Sequence, residues 1–168
     1  NHVDDIVPAD EKLPPARQFD FVYGDAFNFL GVPYHLTTHE FNQKIQRLLK
    51  PGTGIYLVNI IDIFESGKFL GAIYNTFRES FGENVYVFCN NDIKPDKEGR
   101  DTYIVIGSLR PLDLSGLPQA EAPYTFTGSL LSADHLEELE KNSNRLVLKD
   151  DYAPVENLLE YVVNRWKS

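Results

Sequence analysis

The 168-residue chain has no methionine, a single cysteine (Cys89) and a single tryptophan (Trp166). It is also short of positive charge, with 16 Lys and Arg against 25 Asp and Glu and a formal net charge of −9. The lone cysteine excludes an internal disulfide and fits a reducing compartment, so a cytoplasmic setting is expected. The acidic balance argues against a nucleic-acid partner, because phosphate neutralisation needs basic patches. No apolar run reaches the roughly 20 residues of a membrane span, so this segment is not expected to contact a bilayer. No secretory leader is recognisable, and the opening at Asn1 reads as a processed or truncated chain. Phosphate-loop and nucleophile motifs are lacking as well. His35 and His39 stand four apart, but no cysteine or acid cluster completes a zinc site at familiar spacing, so no metal is expected.

What is there patterns as an α/β domain. With 42% hydrophobic and 12% aromatic residues, the chain has enough apolar surface for one ordinary core. Residues 1–18 carry Pro8, Pro14 and Pro15 without a sustained period and read as a lead-in loop. Phe19 to Gly24 is a short apolar-aromatic run ending on Asp25, a strand candidate. Thr37-x-x-Glu40 has the capping-box form. Phe41, Ile45, Leu48 and Leu49 then recur at helical spacing until Pro51-Gly52 stops the helix. Ile55 to Ile61 is nearly continuously apolar, as in a strand buried in a parallel sheet.

Phe69, Leu70, Ile73, Phe77 and Phe81 predict a second helix ending at Gly82. Val85 to Cys89 and Thr102 to Gly107 are two further strands. The charged loop between them carries no helical pattern, so those strands are expected to pair antiparallel. Residues 111–123, rich in Pro, Gly and Ala, read as a surface crossing. Ser132 is placed to cap a short acidic helix through Lys141. Pro154 suits the first turn of a last helix bearing Leu158, Leu159, Val162, Val163 and Trp166.

The order strand, helix, strand, helix, strand, strand is that of the second half of a doubly wound α/β sheet, mostly parallel, with an antiparallel hairpin at its edge. One domain over 1–168 is expected, with 109–168 as a C-terminal extension. The glycine-rich turn that would cradle a cofactor is not in this sequence. Half a doubly wound sheet leaves a central strand unpaired on one side, which predicts a homo-oligomer.

The run Phe19-Asp20-Phe21-Val22-Tyr23-Gly24-Asp25-Ala26-Phe27-Asn28 resembles the fourth strand of spermidine-synthase-like proteins, as does the following Val32-Pro33-Tyr34-His35-Leu36-Thr37-Thr38-His39-Glu40-Phe41. Leu48-Leu49-Lys50-Pro51-Gly52 resembles the turn before the fifth strand of class I methyltransferase folds. Asp150-Asp151-Tyr152-Ala153-Pro154-Val155-Glu156 is similar to the C-terminal signature of bacterial spermidine-synthase-like proteins, some of them fused to membrane segments. The likeness runs from about Gln18 to Leu159 and implies the C-terminal half of a Rossmann-like methyltransferase fold. Gly24 to Leu30 also resembles the family's adenine-holding segment. That segment precedes the fourth strand, and the turn at Pro51 leaves no room for the missing unit.

The resemblance implies aminopropyl transfer from decarboxylated S-adenosylmethionine to a small-molecule amine, in polyamine biosynthesis. In that reaction a neutral amine attacks the carbon next to the sulfonium, so an acid must take its proton and carboxylates must hold its cationic end. The family's Asp-x-x-Asp, whose second aspartate would be the base, stands here as Asp25-Ala26-Phe27-Asn28. Asn28 is a neutral amide and accepts no proton at neutral pH.

Asp25 and Asn28 are therefore the candidate catalytic positions, and Asp25 and Ala26 the cofactor contacts. Tyr34, His35, Asp150, Asp151, Tyr152 and Glu156 are the candidate substrate contacts, by charge and by cation–π attraction for an ammonium. Asn59 sits mid-strand and is read as ending the apolar run at the cleft. Methyl transfer from S-adenosylmethionine to a small molecule, and a non-catalytic binding or assembly module, are the other readings.

Overall fold

The computed structural model describes residues 18–25, 32–90, 99–115 and 128–166. Its strands are β1 (Phe21–Gly24), β2 (Ile55–Ile63), β3 (Val85–Cys89), β4 (Arg100–Ser108) and β5 (Ser129–Leu130). Its helices are α1 (His39–Leu48), α2 (Lys68–Phe81), α3 (Ala133–Asn142) and α4 (Val155–Trp166), with a 3-10 turn at Tyr34–Leu36. The expected alternation of strands and helices is therefore present through β4.

The five strands form one sheet in the order β1-β2-β4-β3-β5. β1 pairs parallel with β2, Phe21 opposite Ile55. β4 runs antiparallel to both β2 and β3, so β1, β2 and β3 share one direction. The β3–β4 hairpin is antiparallel as expected, but its second strand is inserted between β2 and β3. The two-residue β5, which the sequence pattern does not announce, closes the far edge against β3.

One face of the sheet carries the core. Along β2, Tyr56, Val58 and Ile60 are buried together with Val105 and Tyr103 of β4 and Val87 of β3. α2 lies across them, and the Tyr56 ring stacks on Phe77 at 5.2 Å between centroids. Gly107 permits this approach: a Cβ there would collide with the Phe81 ring, so only a hydrogen fits between helix and sheet.

Helix ends follow local chemistry. Thr38, not Thr37, caps α1, its side chain accepting from the Phe41 amide. Thr37 instead donates to the Tyr34 carbonyl at 2.6 Å. The expected box does not close because the Glu40 carboxylate reaches across the chain and accepts from the Asp150 amide at 3.0 Å. Ser132 caps α3 through the His135 amide as expected.

α2 begins after Gly67, in the left-handed region at φ 46°, with no side-chain cap of its own. Asp62, at the end of β2, does that work, accepting from Ile63 N at 2.7 Å and Leu70 N at 2.8 Å. Its burial pushes the carboxyl pKa from 3.8 up to about 6, against the pull of those amides.

Candidate functional site

β1 and β2 run side by side in the same direction, with their carboxyl ends toward the side where ligands bind in open α/β sheets, and β2 continues to Ile63 past the end of β1. Asp25 is the first residue past β1 and is exposed. Asn59 lies on the β2 face turned away from α2, since Tyr56, Val58 and Ile60 alternate onto the helix-covered side. Its Nδ2 donates to Asp25 Oδ1 at 3.1 Å. An ionised carboxylate only accepts, so this bond fixes which way the Asn59 amide points. Asn59 Oδ1 is then left buried with no hydrogen-bond partner among the described residues. A buried acceptor without a donor is costly, so this oxygen marks a place for an incoming N–H or O–H.

The second feature is a cavity of about 220 Å³ between the turn before α1 and the start of α4. Val32, Ala153, Pro154 and Val155 give it apolar walls, and Tyr34, Glu156 and Asn157 add an aromatic ring, a carboxylate and an amide. Apolar walls with one carboxylate and one ring suit a short alkyl chain bearing an ammonium.

The candidate residues thus divide. Tyr34 and Glu156, more than a hundred positions apart, share the cavity. Asp25 stands at the strand end with Asn59. The Tyr34 and His35 rings meet edge to face, 5.7 Å apart at 89°.

Asp150 is engaged elsewhere: Thr38 Oγ1 donates to its Oδ1 at 2.6 Å while its own amide is held by Glu40. With the His39 amide donating to the Leu148 carbonyl at 2.8 Å, these bonds clasp the segment before α4 onto the start of α1. Asp151 and Tyr152 are exposed and do not line the cavity. Tyr152 pairs through its backbone with Lys149. Ala26 and Asn28 lie outside the described residues.

Both ring nitrogens of His39 are engaged, Nδ1 at 2.9 Å from Ser80 Oγ of α2 and Nε2 at 2.8 Å from Gln43 Nε2 within α1. Among the described residues no group of three His, Cys, Asp or Glu side chains is placed to hold a metal. No helix there is long and apolar enough to cross a membrane.

Asn157 and Asp62 are polar residues that sequence patterning passes over. Asp62 had a signal: it is a charged residue in the otherwise apolar β2 run, eight positions before the helix amide it binds. Asn157 had none, being one polar residue in a helical first turn.

No family model matches the chain, and no curated protein matches it in sequence. Among solved structures it is similar to a probable spermidine synthase from Corynebacterium glutamicum ATCC 13032, with a TM-score of 0.62 and 20% sequence identity. The match covers 87% of this chain and 52% of that one, so the chain spans about half the length of that protein. The chain therefore has a spermidine-synthase-like fold of the Rossmann-like methyltransferase type.

Proposed function

We propose that the chain is part of a spermidine-synthase-like transferase, working by aminopropyl transfer from decarboxylated S-adenosylmethionine to a small amine. The observation that carries the reading is the Asp25–Asn59 pair, just past the carboxyl end of β1 and beside the middle of β2, with its buried Asn59 oxygen that has no partner among the described residues. Asp25 supplies a fixed negative charge and proton acceptor beside the place where an amine N–H would meet Asn59. Tyr34 and Glu156 would hold the far, cationic end of the acceptor in the cavity they line. The cofactor would be held chiefly by residues this chain does not contain, so the 168 residues alone are expected to bind it weakly and to turn over little or nothing.

Loss of the carboxylate at Asn28 leaves Asp25 as the one acid of the Asp-x-x-Asp pattern. S-adenosylmethionine-dependent methyl transfer, which places less demand on a second acid, is the alternative chemistry on the same site.

Calorimetric titration with decarboxylated S-adenosylmethionine, S-adenosylmethionine and methylthioadenosine tests the reading. Binding of the decarboxylated form in preference to the other two, weakened at least about tenfold by Asp25→Asn, is the expected outcome. Tighter binding of intact S-adenosylmethionine would turn the reading to methyl transfer. A folded sample that takes up none of the three, with or without an amine, would overturn Asp25 and Asn59 as a binding site within this chain.

A further inference from the structure

The cavity takes its two walls from distant parts of the chain, the turn at Val32 and Tyr34 and the start of α4 at Ala153 to Asn157. Each wall is tied to one end of a continuous run of hydrogen bonds. Thr37 holds the first wall: its amide donates to the Tyr34 carbonyl at 3.0 Å and its hydroxyl to the same oxygen at 2.6 Å. The second wall follows a tight turn in which Lys149 and Tyr152 exchange both backbone bonds, at 3.1 and 2.9 Å. Asp150 and Asp151 form the tip of that turn, and Ala153 leaves it directly into the cavity lining. Thr38, next to Thr37, joins the two ends. Its hydroxyl donates to Asp150 Oδ1 at 2.6 Å across 112 positions, and the Asp150 amide donates to the Glu40 carboxylate at 3.0 Å.

The join is anchored from behind. The Leu148 amide donates to Thr76 Oγ1 of α2 at 2.9 Å, and the Leu148 carbonyl accepts from the His39 amide at 2.8 Å. Asn75 of α2 donates to the Leu146 carbonyl at 3.2 Å. Just before this segment Asn144 and Arg145 both hold positive φ, 51° and 54°. Non-glycine residues keep that conformation only where their surroundings over-determine it. The path from α2 to Ala153 is therefore fixed at every step, and Thr38 is wholly buried in it.

We propose that Thr38 and Asp150 are positioning residues, which set the gap between the Tyr34 ring and the Glu156 carboxylate and so the affinity of the cavity for a short alkylammonium. The proposal rests on the reading of that cavity as the seat of the acceptor's cationic end. Neither residue lines the cavity. The Tyr34 and Glu156 side chains are exposed, so a cation gains from both together only if their backbones are held at one spacing. Otherwise the ligand must order them itself and loses affinity. The Thr38 hydroxyl needs an oxygen acceptor at position 150 and not a charge, which separates this role from direct attraction of the ammonium by Asp150.

Titration of the whole chain with n-butylammonium chloride, followed at the amide NMR signals of Val155 and Asn157, reads the affinity. Hydrogen exchange at the Thr37 and Leu158 amides, which donate to Tyr34 and Pro154, reads the two walls without ligand. Asp150→Ala keeps the backbone bond to Glu40 and the Thr38 cap but takes the acceptor from the Thr38 hydroxyl. It is expected to stay folded by circular dichroism, to quicken exchange in both walls, and to weaken butylammonium binding at least about fivefold. Asp150→Asn loses the charge but keeps an oxygen for Thr38, and is expected to bind as the parent does. Thr38→Val should match Asp150→Ala, and Thr38→Ser should match the parent. Equal affinity in the parent and Asp150→Ala, or wall exchange that this substitution leaves unchanged, overturns the proposal while the cavity reading stands. A loss in Asp150→Asn as large as in Asp150→Ala overturns it too, since Asp150 would then act by its charge. A parent that takes up no butylammonium overturns the ammonium site itself and the proposal with it.

Discussion

The two faces of the sheet differ sharply in how they are finished. On the α2 side, Tyr56, Val58, Ile60, Val87, Tyr103 and Val105 are each at most 2% exposed, and α3 packs behind α2. On the other side Phe21 and Tyr23 stand in solvent, Ile61 is 36% exposed, and Leu57, Ile104 and Ile106 are only half-buried. The same β-branched and aromatic residue types supply both faces. What separates them among the described residues is that α2 lies across β2, β3 and β4 on the first face. Stability therefore belongs to one face and the candidate chemistry to the other, where Asn59 and Asp25 are free to meet a ligand.

The comparison can be broken where the effect is largest. Phe77→Ala removes the ring stacked on Tyr56 and should cost about 3–5 kcal/mol in chemical denaturation. A loss below about 1 kcal/mol would mean that the covered face is not the stabilising one.

Asp62 comes next, because its carboxyl is wholly buried on that face. Its pKa is raised in the folded state, so the protonated form is the favoured one there. The contribution is fully present below the unfolded value near 3.8 and is lost as pH rises through about 6. Relative to Asp62→Asn, the parent should lose about 3 kcal/mol between about pH 4 and pH 7 in urea titrations. A difference between the two proteins that does not change with pH would show that the amides of Ile63 and Leu70 just offset burial, and one that favours the parent more as pH rises would show that they outweigh it.

Thr38→Ala removes both the α1 cap and the clasp on Asp150, and about 1–2 kcal/mol is expected. Hydrogen exchange should then quicken first in α1 and in the segment before α4.

The smallest effects are expected on the open face. Ile61→Ser and Asn59→Ala should each shift stability by about 0.5 kcal/mol or less. Asn59→Ala should nevertheless weaken binding of decarboxylated S-adenosylmethionine as much as Asp25→Asn does, since it frees the carboxylate it now orients. Open-face variants as damaging as Phe77→Ala would show that something covers this face in solution.

Much of the fold was legible from local pattern. The apolar run of β2, the helical spacing of Phe69, Ile73 and Phe77, the Pro51-Gly52 stop and the Ser132 cap each act within a few residues, and each is found where expected. The α1 cap went to the neighbouring threonine because Glu40 found a partner at Asp150, 110 positions away. The two-residue β5 carries no periodicity to read and exists only because β3 offers it an edge.

The candidate site was legible in part. Asp25 stood out as an acid closing an apolar strand, and Tyr34 and Glu156 stood out through family likeness. Asp150 looked equally suited to an ammonium, and in the structure one of its two carboxylate oxygens accepts from Thr38.

By itself the sequence determined the kinds of element, their order and the polarity of their surfaces, because hydrophobic period, capping and turn chemistry are short-range properties. Tertiary structure alone decided that β4 is inserted between β2 and β3, that Asn59 turns toward Asp25, and that Glu156 joins Tyr34 around one cavity while Asp150 becomes a clasp. Those outcomes depend on which distant groups are brought within hydrogen-bonding reach, and no local pattern encodes a distance between residues a hundred positions apart.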